Sequence, residues 1–388
     1  MKNEIVSYLS THKTEFLSLC KFLYDNPEES YKEEKACAYI TDLLKSKGFS
    51  VSENFLGLQT SFIAMAGIGH PKICFLCEYD ALPSFGHVTG HNLLTTVSIS
   101  SSLALKNIID KTHGSIIVIG CPGEYLGGTK SIMARQGVFD DVDAVMVCHP
   151  NTFTAESGTS SAVIPLKVNY KGNSGLSFLN NNTLNSLDAT LLTFNILNSL
   201  RKGLPDNLEI NSILSKGGFT PLLQPGESES KFYIRAKEMD SAKIAEGKLR
   251  EICSFIANLL HIETSISLYE PPNEELLTNI TLNRLFSHNL KEAGIINISS
   301  PKHTDAGLSI GCVSQKVPTI HPYIDISDGM NISYGTEDFA KATTSEYALN
   351  NALKASSALC FTSLDIIESE SLLNEAKSEL YYFSNKLY

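Results

Sequence analysis

The chain has 388 residues, which is long enough for two or three domains rather than one ordinary hydrophobic core. Its formal net charge of -11 at pH 7 argues against a nucleic-acid partner, and no stretch approaches the roughly 18 consecutive apolar residues of a membrane-spanning helix. Nine cysteines scattered through apolar segments indicate reduced thiols, and the N-terminus lacks the apolar core of a signal peptide, so we expect a cytoplasmic protein.

The first predicted element is an amphipathic helix in residues 30–49, which read SYKEEKACAYITDLLKSKGF. Ser30 and Glu33 have the spacing of a capping box at its start. Gly48 is a typical stop signal at its end. The sequence therefore predicts a helix that follows Ser30 and ends at Gly48.

Three apolar runs, at residues 72–82, 114–124 and 143–150, predict buried strands that end in polar residues. A helix is predicted between the first two runs, in residues 91–111, with Asn92 as its N-cap. This alternation is typical of an α/β fold with a mostly parallel sheet covered by helices. In such a sheet, ligands collect beyond the carboxyl ends of the strands. The side chains expected at those ends are Asp80, His91, Glu124 and His149.

The pattern changes in residues 164–274, where half-buried strands are interleaved with helices. The predicted strands are residues 161–172, 207–218 and 229–238, and the predicted helices are residues 185–203 and 240–260. These pieces predict an inserted α+β domain with a small antiparallel sheet. The alternation of helix and strand then resumes, so we expect residues 275–388 to return to the sheet of residues 1–163.

Nine short motifs carry a resemblance to a known family. They are EYDALP, GHVTGHNL, CPGEYLGG, GVFDDVDAVMVCHP, NSLDA, ESKFYIRA, HTDAG, VPTIHPYI and YGTEDF. In this order they make the chain similar to the aminoacylase and amidohydrolase superfamily of two-metal peptidases, in particular to amino-acid-conjugate hydrolases and bacterial amidohydrolases. The resemblance implies a catalytic domain, residues 1–163 and 275–388, interrupted by a lid or dimerisation domain, residues 164–274. It also implies a homodimer that forms through the lid domain.

The resemblance implies two divalent metal ions held by five ligands, together with a glutamate that moves the proton. Two histidine ligands, His91 and His149, are retained, and Glu124 takes the position of the proton carrier. The other three ligand positions are changed: Thr89 stands in place of a bridging cysteine, Tyr125 in place of a glutamate, and Gly335 in place of a histidine. All the ligands of one metal are therefore missing. We expect no tightly bound metal, or one zinc or manganese ion.

A single metal on His91 and His149 needs a third protein ligand, and Asp80, Glu78 and Glu124 are the candidates. Asp80 is alternatively a catalytic carboxylate that orients a neighbouring group, or a cap of the following loop. Without a metal, the two histidines are hydrogen-bonded residues of the cleft that contact substrate.

Further residues are candidates for substrate binding or direct function. Tyr125 lies in the CPGEYLGG motif, His87 lies in the GHVTGHNL motif, and Arg235 lies in the FYIRA motif of the inserted domain. Arg235 also fits an ordinary structural ion pair on a strand. Where the family carries a substrate-contacting histidine and an asparagine, this chain has the apolar residues Leu176 and Leu222.

These residues predict a diverged amidohydrolase that acts on a small N-acyl amino acid or dipeptide-like amide, with the two-metal centre largely lost. One alternative is a metal-free enzyme of the same fold that forms, cyclises or rearranges a small amide-bearing substrate. A second alternative is a non-catalytic homologue that binds a ligand. Retained metal after purification favours the hydrolase, and activity that survives chelation favours the metal-free enzyme.

Overall fold

The N-terminal part of the chain begins with three helices and continues with strands that flank one long helix. The computed structural model describes residues 1–179, 184–200, 203–204 and 208–385. The helices of this part are α1 (Lys2–Thr11), α2 (Lys13–Asp25), α3 (Glu34–Ser46), α4 (His91–Lys106) and α5 (Lys130–Arg135). The strands are β1 (Ser50–Glu53), β2 (Phe62–Ile68), β3 (Lys72–Cys77), β4 (Gly114–Gly120), β5 (Ala144–Met146) and β6 (His149–Asn151).

The middle of the chain is built from strands and two helices. The strands are β7 (Thr159–Lys171), β8 (Gly175–Leu176), β9 (Glu209–Lys216), β10 (Leu223–Gln224), β11 (Glu227–Ala236) and β12 (Glu263–Leu268), and the helices are α6 (Ser186–Leu200) and α7 (Met239–Leu260). Residues 201–202 and 207, at the ends of a predicted helix and a predicted strand, lie outside the described residues.

The last part of the chain returns to a mainly helical pattern. Its helices are α8 (Ile280–Glu292), α9 (Ile310–Ser314), α10 (Glu337–Ala342), α11 (Glu346–Glu368) and α12 (Glu370–Asn385). Its strands are β13 (His303–Gly307), β14 (Thr319–Ile320) and β15 (Tyr323–Asp325).

The contacts within the described chain divide it into two units. The first unit contains Met1–Thr159, Leu276–His303 and Cys312–Tyr388, and the second contains Ser160–Glu275 and Thr304–Gly311. The sequence-based division assigned residues 304–311 to the first domain. The structure places them in the second unit because β13 pairs with β7.

The first unit contains a mixed sheet of six strands in the order β1-β2-β4-β3-β5-β14. Strands β4, β3, β5 and β14 are parallel, and β1 and β2 form an antiparallel edge. Strand β3 is buried along nearly its whole length, as expected for a parallel strand with both faces covered. Helix α4 is buried on all sides from His91 to Leu105 and packs on β3, α2 and α11. The predicted α/β fold with a mostly parallel sheet is confirmed.

The second unit contains an antiparallel sheet in the order β12-β7-β11-β9, with β13 as an additional partner of β7. Alternate residues of β11 are buried, because one face of the strand is covered by α6 and α7. This is the predicted α+β arrangement. All nine cysteines of the chain are buried thiols, as the sequence indicated.

Two predicted helix caps are wrong. Helix α3 begins at Glu34, and neither Ser30 nor Glu33 caps it. The carboxylate of Glu28 does so instead, accepting from the backbone nitrogens of residues 35 and 36 at 3.0 and 2.9 Å. Asn92 lies inside α4, where its Nδ2 donates to Thr343 Oγ1 at 2.9 Å. Each of these side chains has a more distant partner that local sequence does not reveal.

None of the described helices combines the length and the apolar character that a membrane crossing requires.

Candidate metal centre

Polar side chains at the ends of three adjacent strands meet at one edge of the first unit's sheet. Glu78 and Asp80 follow β3, and Glu124 lies in a single helical turn after β4. His149 begins β6, shortly after β5, and His91 is the first residue of α4. Because β4, β3 and β5 are parallel neighbours, their carboxyl ends deliver these residues to one place.

Gly90 lets the two histidine-bearing segments approach each other. Its φ is +81°, and a Cβ added there would lie 2.5 Å from Pro150 Cγ. Glycine avoids both the strained backbone and the clash. The ring centroids of His91 and His149, which follow Gly90 and precede Pro150, lie 6.1 Å apart.

Three buried side chains form a cluster with the composition of a metal site. Glu78, His91 and His149 each offer one ligand atom, and these atoms all lie within 4.8 Å of one another. Glu78 Oε2 is 3.2 Å from His91 Nε2. In the described part of the chain, this is the single group of three histidine, cysteine or acidic side chains with such spacing. Of the three carboxylates that the sequence offered as a third ligand, the structure brings Glu78 to the histidines.

Both histidines are held through their Nδ1 atoms. His91 Nδ1 is 2.8 Å from Asp80 Oδ1, and His149 Nδ1 is 2.9 Å from the carbonyl oxygen of Pro150. This arrangement leaves Nε2 of each ring for a ligand, as in metal-binding histidines whose other nitrogen is fixed by a carboxylate or a backbone carbonyl. Burial lowers the pKa of His149 to about 4, so this imidazole stays neutral near pH 7.

Asp80 connects His91 to two other segments of the chain. It is fully buried, and its Oδ2 accepts from Ser30 Oγ at 2.7 Å and from the backbone nitrogen of Tyr125 at 3.0 Å. Burial opposes its ionisation, but the hydrogen bond from His91 and the other donors outweigh burial and lower the pKa of Asp80. Burial likewise opposes protonation of His91, but Asp80 and Glu78 raise the pKa of His91 to about 9.

Lys130, the first residue of α5, is a member of the site that sequence reasoning missed. It is fully buried, and its Nζ lies 2.6 Å from Glu78 Oε1 and 2.7 Å from Glu124 Oε2. Burial alone would lower the pKa of Lys130, but the charges of Glu124 and Glu78 raise it, so the ammonium stays charged. No sequence signal was available, because a lone lysine is ordinarily exposed.

The three altered ligand positions carry no carboxylate, thiol or imidazole. The hydroxyls of Thr89 and Tyr125 hydrogen-bond each other. Burial raises the pKa of Tyr125, so its phenol remains neutral, and its ring stacks on that of His91 with centroids 4.8 Å apart. Gly335 has no side chain, and its φ of +83° favours glycine.

Three aromatic rings that were not predicted from the sequence as part of the site lie next to His149. The centroids of His321, Tyr323 and Tyr334 lie 5.4, 6.1 and 6.1 Å from that of His149. His321 is buried, burial lowers its pKa to about 3, and its Nδ1 has no hydrogen-bond partner among the described residues. The VPTIHPYI motif contains the first two of these residues and was the available signal.

Two other candidates lie apart from the triad. His87 Nε2 is 3.0 Å from the carbonyl oxygen of Leu23, and burial lowers the pKa of His87 to about 4. Arg235 lies on β11 in the second unit, where it hydrogen-bonds Asn211 and is 3.8 Å from Glu209. Leu176 and Leu222, in the same unit, are exposed.

One divalent metal ion fits the residues present. Two imidazoles and one carboxylate match the three protein ligands of a catalytic zinc site, which leaves a further coordination position for water or substrate. With neutral imidazoles, the carboxylates of Glu78, Asp80 and Glu124 and the ammonium of Lys130 leave a formal charge of minus two. One divalent cation neutralises the charge of this buried cluster, whereas a second would give the cluster a net positive charge.

Comparison with known proteins gives relatives along most of the chain. No family model matches it. The mouse Xaa-Arg dipeptidase is 29% identical over 384 residues, which cover 93% of this chain and 88% of the dipeptidase. One of the subunits of the Escherichia coli p-aminobenzoyl-glutamate hydrolase is 31% identical over 270 residues, covering 62% of this chain and 56% of that protein.

The fold also matches solved structures. A dinuclear metal binding peptidase of the M20 family from Bacillus subtilis superposes with a TM-score of 0.68 at 17% identity, covering 92% of this chain and 99% of that one. The full-length relatives and the shared fold agree with the motifs read from the sequence. Over most of its length, the chain is therefore similar to amidohydrolases and peptidases of the M20 type.

Proposed function

We propose that this protein is a hydrolase of amide bonds in small N-acyl amino acids or dipeptide-like substrates, with one divalent metal ion held by Glu78, His91 and His149. The observation that carries this proposal is the buried triad with Glu124 beside it. The names of the relatives support the substrate class, since one is a dipeptidase and another is a p-aminobenzoyl-glutamate hydrolase.

The protein's own residues have separate tasks in this reaction. Asp80 orients His91 through Nδ1, and the carbonyl oxygen of Pro150 does the same for His149. When bound, the metal ion polarises the scissile carbonyl and makes a water molecule more acidic. Glu124 takes the proton of the attacking water and returns it to the amine that leaves. Tyr125 and the aromatic rings beside His149 contact the substrate.

Glu124→Gln tests this proposal, because it keeps the shape of the side chain and removes the base. With zinc or manganese present, activity on a panel of N-acyl amino acids and dipeptides should fall by about 100-fold or more. Glu337→Gln is the matched control, since Glu337 is exposed on α10. An equal rate in both variants would exclude the role of Glu124, and full activity after complete chelation would favour the metal-free alternative.

The second unit is proposed to mediate a homodimer. Strand β9 ends the order of its sheet, so one edge of its backbone has no partner strand among the described residues. Most of its side chains are exposed, including Ile213 and Leu214 at 60% and 43%. An exposed apolar edge strand is a ready template for pairing with a second copy.

A further inference from the structure

Lys130 places a buried positive charge between two carboxylates of the candidate active site. It is 0% exposed, and its two partners, Glu78 and Glu124, follow different strands of the sheet. Burying an ammonium is costly unless it is closely paired. Removing the charge would leave both buried carboxylates without their ammonium partner.

We propose that the ammonium of Lys130 supplies the positive charge that a second metal ion would otherwise bring, and that it positions Glu78 and Glu124 for a one-metal centre. This inference depends on the metal triad of the proposed function but not on hydrolytic activity. It explains why the chain dispenses with ligands at Thr89, Tyr125 and Gly335.

The two carboxylate oxygens of Glu78 have different partners. Lys130 binds Oε1, which fixes the carboxylate and leaves Oε2 facing His91 Nε2 at 3.2 Å. Glu78 can therefore offer one oxygen to a metal ion while the other stays on the ammonium. Lys130 is a positioning residue for this ligand.

The charges of the cluster limit the number of divalent ions that it can hold. The positive charge of Lys130 already neutralises the charge of one carboxylate. A single divalent ion on the triad neutralises the charges of the other two. A second divalent ion would lie close both to the first ion and to the ammonium, without the anionic bridge that normally lies between two such ions. The ammonium of Lys130, held between Glu78 and Glu124, therefore opposes the binding of a second ion.

Metal content in a variant with restored ligands tests this exclusion. Thr89→Cys and Tyr125→Glu together return an anionic bridge and an anionic ligand. This pair variant is compared with the same pair combined with Lys130→Met or Lys130→Gln, each loaded with zinc, dialysed and analysed for bound metal. Methionine removes the charge and the hydrogen bonds, whereas glutamine removes the charge and keeps a donor to the carboxylates. Lys72→Met in the pair variant is the matched control, because Lys72 forms its ion pair with Asp141 away from the triad.

The pair variant and its Lys72→Met control should each keep about one zinc per chain, and both Lys130 combinations should keep about two. About two zinc ions in the pair variant with Lys130 intact would overturn the proposal. Retention of only the first zinc in the Lys130 combinations would also overturn it, since that first ion reports a folded triad. If the methionine combination does not fold, the glutamine combination decides between these outcomes. The measurement does not depend on catalysis, so loss of the proposed hydrolase activity would not affect it.

Discussion

Tyr125 hydrogen-bonds Thr89 and stacks on His91 at a position where the second metal of the family would need a carboxylate. From the identity of these two residues, the sequence predicts that the second metal is lost, and this stays a prediction. The structure adds that Lys130 provides a cation and that Glu78 is the third member of the triad. Sequence could not select Glu78 among three carboxylates, because the choice depends on distances between different strands.

Asp80→Asn is the variant that tests how His91 is positioned. An amide at this position keeps the shape but removes the carboxylate that holds His91 Nδ1 at 2.8 Å. Metal affinity should fall by about 10- to 100-fold, the usual effect of removing such a partner. Competition with a chelator measures the change, and Asp42→Asn, at an exposed position of α3, is the control. Unchanged affinity in Asp80→Asn would show that His91 does not depend on Asp80.

Among the secondary-structure elements, the apolar runs predicted the buried strands. This prediction is confirmed, because continuous burial leaves a direct trace in the sequence. The predictions of the helix caps were wrong, because the partners of these side chains are not local in the sequence. Ser30 and Glu33 bond to Asp80 and to Gly123, which are distant in sequence. The segment before α3 thereby supports the loops of the candidate site.

Glu33→Ala should reveal this support. Glu33 accepts from Gly123 N and Tyr31 N, each at 2.8 Å, and from Thr60 Oγ1 at 2.7 Å. Gly123 has φ +76°, and a Cβ there would lie 2.3 Å from the Tyr31 ring, so this loop is tightly fitted. Alanine leaves buried donors unsatisfied and should lower the free energy of unfolding by about 1–3 kcal/mol. Urea unfolding measures this change in the free energy of unfolding. Glu33→Gln keeps an acceptor and should cost clearly less; equal losses would contradict this explanation.

The chain combines a unit that carries the candidate metal centre with a second unit whose sheet has an exposed edge. The sequence predicted both folds and the insertion of one segment into the other. It did not predict that residues 304–311 join the second unit, because the pairing of β13 with β7 spans more than 130 residues of chain and no local pattern records it.

The proposed dimer is tested by its mass in solution. Light scattering at micromolar concentration should give twice the chain mass of 42.4 kDa. Ile213→Lys puts a charge on the β9 edge and should shift the mass toward the monomer, because charged edge residues oppose strand pairing. Ile68→Lys, at a 92% exposed strand position in the first unit, should leave the dimer intact. A monomeric wild-type protein would contradict the proposal.

The metal content of the unmodified protein distinguishes a one-metal centre from a two-metal or metal-free site. The protein is purified without chelators, dialysed, and analysed for zinc and manganese, and its amidohydrolase activity is followed as metal is removed and returned. The triad of Glu78, His91 and His149 together with Lys130 predicts about one divalent ion per chain and activity that is lost and restored with that ion. Two tightly held ions per chain, or full activity with none, would contradict the one-metal centre.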